Sequence, residues 1–292
     1  MLNNATQKEA ASTTGFKIRK LSPAIGAEII GLDLSHPLDA QTLSALRAVW
    51  LDHHVLLFRN QTISEAEQVR FATYFGEPVG SRSRTRLDHL PDADPRVMLI
   101  SNIREKDGKL IGALPDGELQ FHADSVFLEK PLMAATLFAV ELPSTGGNTI
   151  FTNVCAAYDC LDAKEKVRLD GLKAINAFDY ATQVRDGRFD PASGPHAVHP
   201  VVRTHPETQR KAIFVNRLMS QEIIGLDPAE SDALLARLWS LCERPDLAYE
   251  HTWQVGDLLI WDNRCTQHAR TDFPANERRL LRRVGIEGDV PY

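Results

Sequence analysis

The chain has little of what would tie a protein to a disulfide framework, a membrane or a nucleic acid. Only four of its 292 residues are cysteine (Cys155, Cys160, Cys242, Cys265), and no two form a C-x-x-C pair. That usage suggests neither a zinc–thiolate site nor a set of disulfides, and a reducing cytoplasm is the compartment it fits. Long apolar runs are missing too. The longest stretch, Leu132 to Leu142, is about half of the roughly 20 residues a bilayer requires, so it is expected as a core strand and not an anchor. Excess positive charge is absent: 33 Lys and Arg stand against 39 Asp and Glu, a net charge of −6. This is the wrong sign for affinity built on phosphate neutralisation, so nucleic acid is not an expected partner. Repeats and low-complexity tracts are also lacking.

The first residues, MLNNATQKEAASTTG, are polar and carry no apolar core of a signal peptide. They read as a disordered arm over residues 1–15, leaving residues 16–292 as a single domain. Within that domain four segments carry helix start signals. Ser64 with Glu67, Asp162 with Glu165, and Asp227-Pro228 with Glu230 each place an acidic residue three positions after the cap, and a plainer start follows Asp39. Short β-rich runs are more numerous: Val55 to Arg59, Val97 to Ser101, Ala134 to Val140, Thr149 to Thr152, Ala212 to Asn216, Leu258 to Trp261 and Arg279 to Ile286. Because strands and helices do not alternate regularly, the expected fold class is mixed α/β with an all-β core, a sandwich or barrel with helices packed outside. The Pro- and Gly-rich stretch Phe189 to Pro200 is expected as a long loop.

Two segments carry chemistry. In Gly117-Glu118-Leu119-Gln120-Phe121-His122-Ala123-Asp124-Ser125 a histidine and a carboxylate stand two apart. Positions i and i+2 share a face only in an extended chain, so this pair can chelate from a strand or strand edge and not from a helix. Downstream, Leu258-Leu259-Ile260-Trp261-Asp262-Asn263-Arg264-Cys265-Thr266-Gln267-His268 reads as an apolar strand that runs into a polar loop ending on a histidine. Two imidazoles and one carboxylate can fill one face of an octahedral iron and leave positions open for substrate and oxygen.

With these motifs go Glu141-Leu142-Pro143-Ser144-Thr145-Gly146-Gly147-Asn148-Thr149, the H-P-V-V-R-T-H-P run from His199 to Pro206, and R-R-L-L-R-R from Arg278 to Arg283. The chain from about Ile18 to Gly288 thus resembles the taurine dioxygenase and 2,4-dichlorophenoxyacetate dioxygenase family of Fe(II)- and 2-oxoglutarate-dependent oxygenases. The resemblance implies a double-stranded β-helix (jelly roll) flanked by helices. It implies that His122, Asp124 and His268 ligate Fe(II), with 2-oxoglutarate and O2 as co-substrates. Thr149 and Arg279 are then expected on the far carboxylate of 2-oxoglutarate, and Arg283 on an anionic group of the substrate. Hydroxylation with release of succinate and CO2 follows. Asp124 disfavours halogenation, since halogenating relatives carry a small residue there. Arg279, Leu281 and Arg283 share one strand face by period two, and the two arginines stand about 13 Å apart. Arg278 and Arg282 have the alternative of a solvated edge with surface ion pairs.

The family pattern is not followed everywhere. Taurine-cleaving members place a His and a Tyr after the F-G-E segment, where this chain has Ser81 and Arg84, and a Ser-Phe pair where it has Ala181-Thr182. Taurine is therefore disfavoured. Ser81, Arg84, Ser125 and Arg283 are the candidate substrate residues, and with Arg82 and Arg86 they suit a small anion: an alkyl sulfonate, a sulfate ester or an aryloxyalkanoate. A homo-oligomer, dimer or tetramer, is expected, and no membrane partner. Other histidines read as structural: His53 and His54 at a helix end, and His36 and His205 in turns beside proline. His196 and His199 lack a carboxylate or cysteine companion for a metal. Trp261, Asp262 and Asn263 either order the distal ligand or simply close the core, and Gly146-Gly147 reads as a tight turn. The alternatives to an oxygenase are a catalytically silent jelly-roll metal protein that binds a small organic acid, and a zinc hydrolase with the same ligands.

Overall fold

The computed structural model describes residues 15–80, 93–114, 117–178 and 194–292, together with residues 190 and 192. Residues 1–14 of the proposed arm, and Ser81, Arg82, Arg84, Arg86, Ala181 and Thr182, lie outside the described residues.

Two sheets carry the site. The larger runs in the order β1 (Lys17–Lys20), β2 (Ala27–Ile30), β3 (Val55–Phe58), β15 (Leu258–Asp262), β7 (Ala134–Glu141), β17 (Leu280–Ile286) and β4 (Pro78–Val79), with β5 (Val97–Ser101) also paired to β17. The smaller has the order β14 (Ala248–His251), β8 (Thr149–Asn153), β16 (Thr266–Arg270) and β6 (Leu119–His122). A three-stranded sheet of β10 (His196–Pro200), β9 (Lys173–Ala177) and β13 (Ser220–Ile223), and a pair of β11 (Val202–Thr204) and β12 (Lys211–Ile213), complete the β structure.

Strand β15 shows why its sequence is apolar throughout. Leu258 and Ile260 pack with Leu56, Phe58, Trp50 and Phe71 on one side, while Leu259 and Trp261 pack with Leu57, Leu137, Phe151 and Leu281 on the other. A strand buried on both faces reads as a continuous hydrophobic run, and a one-residue slip would exchange the two sets. The outer cluster is covered by α1 (Ala40–His53) and α2 (Glu65–Thr73), the inner one by the smaller sheet. A third cluster gathers α3 (Val154–Asp159), α4 (Ala163–Leu169) and α5 (Pro228–Cys242). In α5, Leu234, Leu235, Leu238 and Leu241 form the buried stripe, each leucine stabilising by roughly 2 kcal/mol on burial.

The helix starts fall where the capping signals place them. Ser64/Glu67 and Asp162/Glu165 form complete reciprocal capping boxes, and Asp39 caps α1 through Thr42. Asp227 also caps, accepting from Ala229 and Glu230 backbone N–H groups, but Glu230 sends its carboxylate 2.6 Å to Arg168 and does not return the bond. Two expectations need correction. His268 does not end a loop: Thr266–Arg270 is a strand flanked by β8 and β6, with Thr266, Gln267 and Arg270 buried and His268 half-buried. The expected loop at Phe189 to Pro200 ends in strand β10, where His196–Pro200 pairs with β9 and backbone hydrogen bonds outweigh the Pro-rich composition. No helix among the described residues is long and apolar enough to cross a membrane.

Candidate active site

Strands β6 and β16 pair with His122 directly opposite His268, so their ring centroids lie 4.2 Å apart. Asp124 follows two residues after His122, just past the strand end, and the ligand atoms of the three residues all lie within 4.8 Å of one another. The arrangement places two imidazoles and a carboxylate where they could hold one metal ion. Two contacts fix it. Asn263 accepts from the Asp124 backbone N–H through Oδ1 (2.7 Å) and donates through Nδ2 to the Asp124 and Leu132 carbonyls (3.0 and 2.8 Å). The Trp261 ring lies 4.9 Å and the Phe151 ring 5.9 Å from that of His268.

The charge states suit metal ligation, which needs neutral imidazole and ionised carboxylate. Burial holds His122 below its usual range, and burial together with the neighbouring His122 pushes His268 down to about 3. Burial alone would raise Asp124, but the Arg283 guanidinium, then His268 and His122, bring it down to about 2. The His122 Nδ1 lies 2.8 Å from the Gln120 carbonyl. In the neutral ring that nitrogen carries the proton and donates, so Nε2 presents its lone pair. His268 Nδ1 is buried with no hydrogen-bond partner among the described residues.

A second cluster of charge sits one corner away. Arg279 is 2% exposed, and burial, then the like charge of Arg270, bring its guanidinium down to about 9. Among the described residues no carboxylate pairs with it, and its Nε is buried without a partner. A buried cation is costly unless an anion meets it, so the donor set fits a carboxylate ligand. The backbone of Arg279 is pinned by Asn102 and Ser101 (2.9 and 2.8 Å), and its guanidinium lies 5.4 Å from the Phe273 ring centre and donates to the Gly147 carbonyl (3.1 Å). The close approach explains the glycines. Gly147 has φ +64 and a Cβ there would stand 2.9 Å from Arg279 Nε; at Gly146 (φ +71) it would stand 2.2 Å from the Asp272 carbonyl oxygen. Thr149 begins the next strand, buried, opposite Arg270.

The structure thus brings His122, Asp124 and His268 together, places Arg283 with its Nη2 2.7 Å from the Asp124 carboxylate, and ties Arg279 to the Gly146-Gly147 turn, two residues before Thr149. Ser125 follows Asp124 at φ +60, half-buried, and its carbonyl accepts from Leu128 N–H in a turn. The period-two reading of the last strand holds: Leu281 packs on the site side, while Arg282 lies over the Phe138 ring and donates to the Ile63 carbonyl on the other. Arg278 forms the surface pair, with Glu141.

The other histidines among the described residues are not part of the cluster of His122, Asp124 and His268. His199 Nε2 meets the Leu128 carbonyl. His205, Asp262 and Cys265 also cluster, but both Asp262 oxygens are taken by Arg264, and one by His205 as well, so a cation would have to displace a guanidinium. Trp253, Arg270 and Phe273 were not singled out by any motif. Their partners are distant in the chain, and only the W-x-x-x-D spacing of Trp253 and Asp257 ahead of β15 hints at a built corner.

Residues 17–284 match the family described as taurine catabolism dioxygenase TauD, TfdA family. The (S)-phenoxypropionate/alpha-ketoglutarate-dioxygenase of Sphingobium herbicidovorans is 33% identical over 284 residues, covering 94% of this chain and 96% of that protein. The alpha-ketoglutarate-dependent sulfate ester dioxygenase of Pseudomonas putida is 33% identical over 304 residues, covering 99% and 95%. A crystal structure of a taurine dioxygenase from Burkholderia xenovorans matches with a TM-score of 0.77 at 32% identity, covering 95% of this chain and 92% of that one. Alpha-ketoglutarate is 2-oxoglutarate, the co-substrate the sequence motifs imply. The chain belongs to the TauD, TfdA family of dioxygenases, enzymes that work with Fe(II), 2-oxoglutarate and O2.

Proposed function

We propose that His122, Asp124 and His268 hold Fe(II), that Thr149 and Arg279 hold the far carboxylate of 2-oxoglutarate, and that Arg283 receives the anionic group of a small organic substrate. The substrate is of the aryloxyalkanoate, sulfate ester or alkyl sulfonate class, with Ser125, Ser81 and Arg84 as further candidates to bind it. We also read the two main sheets as the halves of a double-stranded β-helix, and residues 16–292 as one catalytic domain.

The observation that carries this reading is the placement of two guanidinium groups, one on each side of Leu281. Arg279 is buried without an acidic partner, and Arg283 touches Asp124. One anion then lies at the Thr149 corner and another at the metal ligands. Along β16, His268 and Arg270 are two residues apart, and Thr149 pairs with Arg270. The two levels are therefore separated by about 7 Å, the reach of a short dicarboxylate. Iron and 2-oxoglutarate supply the oxidising chemistry, with O2 converted into the substrate hydroxyl and one oxygen of succinate as CO2 leaves. The protein's part is to keep both imidazoles neutral and Asp124 ionised, to orient two anions with fixed guanidinium forks, and to wall the site with Phe151, Trp261 and Leu281. Hydroxylation at a carbon bearing an aryloxy or sulfate oxygen gives an unstable adduct that collapses to a carbonyl compound plus phenol or sulfate. The names of two relatives, a phenoxypropionate dioxygenase and a sulfate ester dioxygenase, support the aryloxyalkanoate and sulfate ester classes.

The test is succinate release with Fe(II), ascorbate, 2-oxoglutarate and air across a panel of phenoxyalkanoates, alkyl sulfates and alkyl sulfonates. Succinate in proportion to product with at least one of them is expected. No stimulation by any member in iron-loaded protein overturns the reading, and oxygen-independent cleavage would assign a hydrolase instead.

A further inference from the structure

The indole of Trp253 donates to the Thr149 hydroxyl oxygen at 3.1 Å, and both residues are buried. Indole Nε1 carries a hydrogen and only donates. The Thr149 oxygen must therefore accept, and its own O–H is turned away from the indole. No acceptor for that O–H occurs among the described residues, while Arg279 reaches the Gly147 carbonyl two residues earlier in the same corner.

The indole is itself locked. The His251 ring lies 4.6 Å from it at 88°, edge to face. His251 has the Tyr249 hydroxyl 3.0 Å from Nδ1 and the Asp257 carboxylate 3.1 Å from Nε2. Burial keeps His251 below its ordinary range and hence neutral, and burial pushes the Tyr249 phenol up to about 12, so it stays protonated. Only one proton arrangement satisfies both contacts: Tyr249 donates to Nδ1, and Nε2–H donates to Asp257. The buried Asp257 carboxylate also accepts from Arg59 (2.7 Å) and from the Gln254 backbone N–H (2.8 Å). A chain of fixed contacts thus runs from Arg59 and Asp257 through His251 to the Trp253 ring, and ends on the hydroxyl of Thr149.

We propose that Trp253 is a positioning residue for co-substrate binding: it fixes the rotor of Thr149 so that the hydroxyl donates to the far carboxylate of 2-oxoglutarate. A hydroxyl with three staggered positions is thereby held in the one that is useful. The inference rests on the reading of Thr149 and Arg279 as the co-substrate clamp.

The test is calorimetric, on Fe(II)-loaded protein without oxygen, with two probes: 2-oxoglutarate, and oxalate, which chelates the metal but has no far carboxylate. Trp253→Phe keeps a ring and removes the donor. It is expected to weaken 2-oxoglutarate about fivefold, the scale of one oriented hydrogen bond, and to leave oxalate and iron affinity unchanged. Thr149→Val is expected to weaken 2-oxoglutarate at least as much, and adding Trp253→Phe to it should cost nothing further. Equal 2-oxoglutarate affinity in wild type and Trp253→Phe overturns the proposal, as does an equal loss for both probes. If wild type binds oxalate but not 2-oxoglutarate, the clamp reading itself fails. A measurement on wild type guards against a misfolded variant: in the diamagnetic Zn(II) form, the Trp253 indole N–H resonance should move on adding 2-oxoglutarate but not oxalate. A resonance that moves with neither overturns the proposal.

Discussion

Asn263 clasps the backbone of Asp124 from both sides, its Oδ1 accepting the Asp124 N–H at 2.7 Å and its Nδ2 donating to the Asp124 carbonyl at 3.0 Å. The residues are 139 positions apart, so the end of β15 sets the angle at which the carboxylate leaves the end of β6. Asn263→Ala leaves these buried groups and the Leu132 carbonyl without partners, which should cost at least about 2 kcal/mol in urea unfolding. Iron affinity should fall about tenfold or more in a competitive chelator titration. Unchanged iron affinity would show that the clasp only closes the core.

Gly146 and Gly147 are expected to fail differently when replaced by alanine. A Cβ at Gly146 meets backbone, the Asp272 carbonyl oxygen, whereas at Gly147 it meets the side chain of Arg279. Gly146→Ala should lower Tm sharply. Gly147→Ala carries a left-handed penalty of about 1 kcal/mol, and its main effect should be a higher KM for 2-oxoglutarate with little change in KM for the second substrate. Steady-state kinetics with each substrate varied in turn separates the two.

Arg279 and Arg283 should sort by ligand. Arg279→Leu is expected to weaken 2-oxoglutarate by about 10- to 100-fold, the scale of a charge-assisted bidentate contact. Arg283→Leu should cost a similar factor in kcat/KM for the anionic substrate and leave 2-oxoglutarate affinity near that of wild type. Identical profiles for the two variants would contradict the division of labour between the two arginines.

A pH effect on stability should come from His54. It caps α1 at φ +65, its Nδ1 lies 3.3 Å from Cys265 Sγ, and burial holds it down at about 4 against an ordinary 6.5. The unfolded chain binds the proton first as pH falls, so the stability contribution is complete above pH 6.5 and is lost progressively toward pH 4. Between pH 7 and pH 5 the loss from this residue is about 2 kcal/mol. His54→Asn, which tolerates the left-handed backbone, should remove that part of the slope in urea melts. Equal slopes in the two proteins would rule His54 out as the source.

What the sequence discloses follows from how local each interaction is. His122 and Asp124 are legible because they stand two apart at a strand edge, and Arg279, Leu281 and Arg283 because they follow strand period two at and just before β17. Strand β16 is not legible: Thr266-Gln267-His268-Ala269-Arg270 has no apolar alternation, and its burial comes from two neighbours joined at long range. His196 to Pro200 hides a strand for the same cause. The bond from Trp253 to Thr149 spans 104 positions, and the Asn263 clasp spans more. Capping boxes are local, yet the third fails to close because Glu230 is drawn to Arg168 on another helix.

The most direct test of the central claim is Fe(II) titration under argon, followed by 2-oxoglutarate, in wild type and Asp124→Ala. With His122, Asp124 and His268 as the ligands, wild type should bind one equivalent of iron and develop a weak visible charge-transfer band on addition of 2-oxoglutarate. Asp124→Ala should lose most of its iron affinity and show no such band. An Asp124→Ala protein that binds iron and develops the band as wild type does would contradict the account.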